Sequence, residues 1–327
     1  MSPPPRLAIA LGDPNGIGPE IALKALADPA LARAAILVGD PEVIACHADR
    51  LGHDLAGVRV HPVAALGAAP EPGVVGARAG AAAVAYAEAA IGLVQAGAAD
   101  AVVAGPHNET AIARAGIPFD GYPGLLARAT GCDPDRVFLM LVGPDHRIVH
   151  VTLHLGLRQA LDAVTEDRVL AAARATDRAC KRIGLARPRL AACGLNPHAG
   201  EGGLFGAEEA TIIGPALARA RAEGVSIAGP FGADGLFAAG GFDAYLAMYH
   251  DQGHIPIKLA GRDRSFAVSI GTDVLFGTVG HGSGHRIAGQ GRADPAAMIR
   301  LMRGLAGMFR AGAGAGKLTP GDIEEAK

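Results

Sequence analysis

Short apolar runs alternate along the chain with longer stretches whose apolar residues recur at helical spacing. The runs Arg6–Leu11, Ala35–Val38, Ala101–Ala104, Arg136–Val142, Arg147–His154, Arg189–Cys193 and Ala244–Tyr249 predict strands. Short runs without polar alternation suit strands covered on both faces. Between them, Pro41–Leu51, Arg78–Ala96, Val164–Ile183 and Ala207–Glu223 predict helices, and Pro295–Arg310 a last one. Asp40-Pro41 reads as an N-cap followed by proline at the first helical position. This is the pattern of βα units around a mainly parallel sheet, an α/β fold. No internal repeat or low-complexity linker separates two halves. The tail AGAGAGKLTPGDIEEAK, rich in Gly and Ala and then charged, is expected to fray.

Polar residues cluster with Gly and Pro where these strands end: GDPNGIGPE (12–20), GPHNET (105–110), LNPHAGEGG (195–203), GPFGAD (229–234) and YHDQGHIPIK (249–258). GHGSGHRIAGQG (280–291) follows another apolar stretch. Open α/β sheets bind ligands at the carboxyl ends of their strands, so these six segments are the candidate chemistry. Gly12, Gly16 and Gly18 precede a helix near Pro19, which suits either a phosphate at a helix N-terminus or an ordinary tight turn. His154, His198 and His250 each fall at or past a strand end; converging, they would hold a divalent metal with open positions. Scattered, they are separate polar or capping histidines, and His150 and His254 rival them. Lys258 is a base, a carboxylate anchor or a solvated loop lysine, while Asp234 is a metal or hydroxyl partner or a helix cap. There is no GxxxxGK[ST], GxSxG, HExxH or CxxC, which removes kinase, serine hydrolase, zincin and thioredoxin readings.

Composition narrows the picture further. The 327 residues suggest two domains or one large one. With 30 Lys+Arg against 32 Asp+Glu and no Trp, neither nucleic acid nor an anionic membrane is an expected partner. The apolar stretch around Ala81–Val94 carries Glu88 and is expected to fall short of a membrane span. Cys46, Cys132, Cys180 and Cys193 lie far apart, as expected of buried thiols in a cytoplasmic protein. Only five residues are lysine, so Lys258 in a polar segment stands out.

Taken in order, GDPNGIGPE, AGIPFDGY, LNPHAGEGG, GPFGAD, YHDQGHIPIK and HGSGHRIAG resemble the 4-hydroxythreonine-4-phosphate dehydrogenase (PdxA) family over essentially the whole chain. GDPNGIGPE and HGSGHRIAGQGRADP are also similar to the cofactor loops of isopropylmalate and isocitrate dehydrogenases. The resemblance implies an isopropylmalate-dehydrogenase-like fold, two α/β/α domains with NAD in an interdomain cleft. It assigns 1–130 and 262–327 to the cofactor side, and 131–261 to metal, substrate and dimerisation. It implies a homodimer with a shared active site. Metal ligands would be His154, His198 and His250; Lys258 would contact substrate, with Asp234 beside it as a second catalytic candidate. Gly16, Gly282 and Ser283 would meet the cofactor. Zinc suits three imidazoles best, with Mg, Mn, Co or Ni as other occupants; NAD against NADP stays open.

Some positions depart from the family pattern. Tyr122-Pro123 replaces a His-Thr pair, Ala267 an Asn, Phe276 an Arg, and His107-Asn108-Glu109 an Ile-Asn-Lys. A phosphate deprived of that Arg and Asn loses charge-assisted bonds of about 1.5–3 kcal/mol each. PHNETAIARAGIPFDGYPGLLA and HDQGHIPIKL resemble instead the family's terephthalate cis-dihydrodiol dehydrogenase branch. That implies NAD-dependent, metal-dependent oxidative decarboxylation of terephthalate 1,2-cis-dihydrodiol to protocatechuate and CO2 in aromatic catabolism. Tyr122, Pro123, Phe276 and Lys258 would then face a small carboxylate substrate. The alternatives are 4-hydroxythreonine-4-phosphate or another sugar-acid phosphate as substrate and, remotely, a non-catalytic binding module.

Overall fold

Where both faces of a strand are apolar, its backbone pairs on both sides and disappears into the core, and this decides the architecture. The computed structural model describes residues 5–261 and 265–310. Its contacts divide the chain into two compact units, one of residues 5–134 and 273–307, the other of 135–261, 265–272 and 308–310. The first begins with β1 (Leu7–Ala10), β2 (Ala35–Gly39), β3 (Arg59–Pro62) and β4 (Ala101–Ala104). The second holds β5 (Phe138–Val142), β6 (Arg147–His150), β7 (Leu190–Cys193), β8 (Ile227–Phe231), β9 (Ala244–Ala247) and β10 (Phe266–Ile270). The chain then returns to the first unit with β11 (Phe276–Thr278).

In the first unit the strands are all parallel, in the order β3-β2-β1-β4-β11. Central β1 is wholly buried, with Leu7 opposite Ala35 on one side and Ala101 on the other. In the second unit the order is β10-β5-β6-β9-β7-β8; β10, β5 and β6 pair antiparallel and the rest parallel. The antiparallel pairing of β10 with β5 places 265–272 in the second unit, where the resemblance implied the first. Tyr245, Ile148, Leu236 and Ile257 centre that unit's core.

Four strands escaped the sequence pattern. β3 is an exposed edge with Pro62, β8 carries Gly and Pro, β10 is mixed in polarity and β11 spans three residues. The expected strand Arg147–His154 stops at His150. HDQGHIPIK, expected as a loop, opens the helix His250–Gly261 with Pro256 inside it. Its Gly253 is a packing residue: a Cβ there would come 2.4 Å from His150 Nε2 and 3.1 Å from the Ala247 methyl. Helix Ala77–Gln95, with 19 residues, is long and apolar enough to cross a membrane by length and composition, which corrects the expectation for this stretch. It packs on β1, β2 and β4 through residues such as Ala83, Tyr86 and Ile91. Cys180 and Cys193 are buried, Cys46 and Cys132 half-buried. The tail beyond 310 lies outside the described residues.

Candidate active site

In each unit the polar segments emerge at the carboxyl ends of parallel strands, where backbone groups released from the ladder need new partners. In the first unit the loops after β1, β4 and β11 bond to one another. Asp13 N–H donates to the Pro106 carbonyl at 2.9 Å, and Ile17 N–H to the Ser283 carbonyl at 2.8 Å. Gly12 has φ +75°, and a Cβ on it would sit 2.4 Å from the Pro106 oxygen. Gly16 plays a similar part, since its Cβ would meet the Ser283 carbonyl oxygen at 2.6 Å. Its Cα face is thus taken by protein. Ser283 is buried, its hydroxyl 3.0 Å from His285 Nδ1 and 3.4 Å from Asn108 Nδ2. Gly282 is exposed, and nothing would lie within 4 Å of a Cβ there or on Gly280. This open backbone beside a bonded polar floor suits a flat polar cofactor.

Beside it lies an aromatic cluster. His107, at the end of β4, packs edge-on against Phe119 and Tyr122, with centroids 4.8 and 4.5 Å away. Tyr122 in turn packs on Phe276 at 5.0 Å and donates its hydroxyl to the Gly105 carbonyl at 2.8 Å. Burial pushes the Tyr122 phenol up and the His107 imidazole down, so both stay neutral around pH 7. Phe276 is 0% exposed and Tyr122 5%. Expected to face substrate, these two rings lie beneath the surface, and His107 and Phe119 are the half-exposed members of the cluster. Pro123 starts the helix Tyr122–Thr130.

The second unit gathers histidines. The helix His250–Gly261 sets His250, His254 and Lys258 one turn apart on one stripe. His254 stacks on His250 with centroids 3.7 Å apart, and the His154 ring lies 5.7 Å from that of His250. Proton positions follow from the partners. His150 Nδ1 faces the Leu139 carbonyl at 3.3 Å and must donate, so its Nε2 accepts from His254 Nδ1 at 3.0 Å. That leaves His254 Nε2 as a lone pair. Burial first, then neighbouring imidazoles, pushes His150 down to about 3 and His254 to about 4. His250 Nδ1 is engaged by Asp251 at 2.6 Å, leaving its Nε2 for a ligand. Leu153, Leu155, Leu157 and Tyr249 join His154 and His250 around a hollow of about 340 Å³.

His198 is placed apart from this cluster. It sits on a left-handed turn, His198–Gly202, with φ from +43° to +82°. Non-glycine residues avoid that region, so something must hold the turn. Glu209 does so: its carboxylate accepts Leu195 N–H and Asn196 N–H, both at 2.7 Å. His198 itself is 66% exposed, bonded to Glu201 at 3.1 Å. Asp234 opens the helix Ala233–Ala239 near that turn; a Cβ on Gly232 would lie 3.0 Å from Asp234 Oδ1 and 3.6 Å from His198 Cα. Among the described residues, no three His, Cys, Asp or Glu side chains are grouped closely enough to hold a metal ion. His154 and His250 fit as two ligands; one chain does not bring the third to them. Sequence reasoning missed His285, Asp13 and Glu209. The i, i+4, i+8 spacing of His250, His254 and Lys258 was the signal for the stripe.

Comparison with known proteins agrees with this architecture. Residues 21–303 match the family described as Pyridoxal phosphate biosynthetic protein PdxA. The chain is 48% identical over 305 residues to 1,2-dihydroxy-3,5-cyclohexadiene-1,4-dicarboxylate dehydrogenase of Comamonas sp, covering 91% of this chain and 96% of the relative. A solved terephthalate 1,2-cis-dihydrodiol dehydrogenase from Burkholderia xenovorans LB400 superposes with TM-score 0.78 at 44% identity, over 92% of this chain and 97% of that one. A 4-hydroxythreonine-4-phosphate dehydrogenase from Burkholderia phymatum reaches TM-score 0.86 at 33% identity, over 94% and 99%. The architecture is thus of the isopropylmalate-dehydrogenase type, and the chain belongs to the PdxA family.

Proposed function

We propose that this chain is a nicotinamide-dependent, decarboxylating dehydrogenase of a cis-dihydrodiol carboxylate, with terephthalate 1,2-cis-dihydrodiol as the substrate and protocatechuate and CO2 as products. The observation that carries the reading is the surface beside the β4 and β11 ends. A neutral imidazole, His107, stands there against half-buried Phe119 and buried Tyr122, with buried Phe276 behind, where a phosphate dianion would need cations. A flat diene carboxylate suits that surface by shape and by polarity. The Comamonas relative supports the same substrate class.

The chemistry balances without water. Hydride leaves the secondary carbinol carbon as its hydroxyl proton leaves, giving a ketone β to the ring carboxylate. The C–C bond to that carboxylate then breaks, its electron pair enters the ring, and CO2 departs as the ring becomes aromatic. NAD, when bound, supplies the hydride acceptor. A divalent ion, when bound, lowers the pKa of the hydroxyl and stabilises enolate charge; zinc suits the imidazole donors. His154 and His250 would supply two of its ligands and leave room for the substrate. Lys258, exposed on the His250 and His254 stripe, anchors a carboxylate or takes the hydroxyl proton, and Asp234 stands with His198 as the weaker catalytic candidate. Because His198 lies apart, a site completed by a second copy of the chain is part of this proposal. Large apolar side chains left exposed in the same unit, among them Leu157 (60%), Leu204 (73%) and Leu259 (83%), support such a homodimer.

The test is NADH formation with the terephthalate cis-dihydrodiol and with 4-phosphohydroxythreonine, each with and without a chelator. Turnover of the diol alone, lost on chelation, is expected. Turnover of the phosphate compound alone would overturn the substrate assignment and favour the activity named for the Burkholderia phymatum neighbour.

A further inference from the structure

The first unit buries a carboxylate that the reaction does not use. Asp13 is 0% exposed. Its Oδ1 accepts Asn15 N–H at 2.9 Å, and its Oδ2 faces His285 Nε2 at 3.2 Å. The two atoms face each other at ion-pair distance, and neither has a hydrogen-bond partner among the described residues. His285 Nδ1 lies 3.0 Å from the Ser283 hydroxyl, and Asn108 Nδ2 3.4 Å from the same oxygen. The Asn108 amide is itself oriented, since its Oδ1 accepts Ala111 N–H at 2.8 Å.

With a neutral His285, one arrangement of protons suits this chain of groups. The Asp13 carboxylate only accepts, which keeps the proton of His285 on Nε2 and leaves Nδ1 as a lone pair. Ser283 must then donate its O–H to Nδ1, and its oxygen accepts from Asn108. The loops after β1, β4 and β11 are joined by a single directional network. Burying a carboxylate costs far more than burying a leucine in the same volume, so the arrangement is an expensive way to hold a loop. What it holds is the backbone of Gly280–Gly284, whose Gly280 and Gly282 are open to a ligand.

We propose that Asp13 and His285 are a pair of positioning residues that fix the loop after β11 in the form that receives the nicotinamide cofactor. This rests on the cofactor assignment made above. Neither residue touches the cofactor; both act through Ser283 and the backbone of Gly282. Asp13→Asn is the informative variant. An amide can donate where the carboxylate accepted, which drives the His285 proton to Nδ1, turns the Ser283 hydroxyl and breaks the chain without emptying space.

The experiment uses the full chain with Asp13→Asn, His285→Gln, the double variant and Ser283→Ala. NADH binding is read directly by calorimetry, beside melting temperature and separate KM values for NAD and diol. Each single variant is expected to weaken NADH about tenfold, the loss of one charge-assisted bond. The double variant should be no worse than either single, because one interaction is shared. KM for NAD should rise while KM for the diol does not. Unchanged NADH affinity in the singles, or a loss that only follows a falling melting temperature, overturns the proposal. If one variant fails to fold, Ser283→Ala decides it in the same way. Wild-type protein that binds no NADH would instead remove the cofactor assignment, and the inference with it.

Discussion

The strand ends of the two units are built from similar residue types but finished differently. In the first unit Asp13, Asn15 and Ser283 are all at least 95% buried and hydrogen-bonded, Asn15 and Ser283 to other loops. In the second, His198 is 66% exposed and His250 37%, with exposed leucines around them. His150, His254, Glu209 and Gln252 there are tied into place. The difference teaches that the strand ends of the first unit are organised within one chain, whereas those of the second leave several imidazoles in solvent, as the proposed metal site completed by a second copy requires. A cofactor-binding surface gains from being rigid before binding. A metal and substrate site completed by a second copy has to leave its donors outside the fold.

The sharpest way to break this comparison is to remove an exposed donor. His198→Ala should abolish metal-dependent turnover, at least about a hundredfold, while melting stays within experimental error, because the side chain is mostly in solvent. His250→Ala should do the same. If each site combines donors from two copies, mixing the two inactive proteins and allowing subunits to exchange restores part of the activity, since one site in each mixed pair keeps all its ligands. Mixtures that stay inactive under proven exchange would return all three ligands to one chain.

A smaller effect, with the opposite signature, is expected in the first unit. Gly16→Ala forces a methyl to within 2.6 Å of the Ser283 carbonyl oxygen, and backbone cannot step aside as a flexible side chain would. Overpacking of this kind costs about 1–3 kcal/mol. Thermal melts should fall and NADH affinity with them, while bound metal per chain is unchanged. A variant that loses metal but keeps NADH would reverse the roles given to the two units.

How much of this was legible depended on whether a signal was local. Runs such as Leu7–Ala10 and Ala101–Ala104 are apolar throughout, and they are central strands. β11 is three residues long and gains its place by pairing with β4, a contact far away in sequence. HDQGHIPIK looked like a loop because Gly and Pro usually break helices. Gly253 is there instead because His150 presses against it, which no window along the chain can display. The histidines stood out by type and position, yet their inequality did not. Nothing in LNPHAGEGG announces that a left-handed turn holds His198 apart while His154 and His250 meet. Tyr122 and Phe276 were noticed as departures from the family pattern, but their burial is a product of packing among four rings.

The smallest predicted effect sharpens the comparison from the buried side. His47, on the helix Pro41–Leu51, is 1% exposed and lies near the Pro14 backbone. Burial, and then the nearby Arg50 charge, pushes its pKa below the ordinary histidine value of 6.5, against smaller opposing effects of Pro14 and Glu20. The unfolded chain therefore takes up a proton as pH falls through 6.5, while the native state resists until its own lower pKa is reached. In that window the unfolded state binds more protons, so stability rises with pH, by at most about 1.4 kcal/mol per pH unit from this group. His47→Asn keeps a polar side chain there but cannot titrate. Melting temperatures at about pH 7.5 and about pH 5.5 should differ less for the variant than for the wild type. Equal differences would mean that this ring is protonated in the native state, and that the β1 loop rests on a charge rather than on a neutral, packed imidazole.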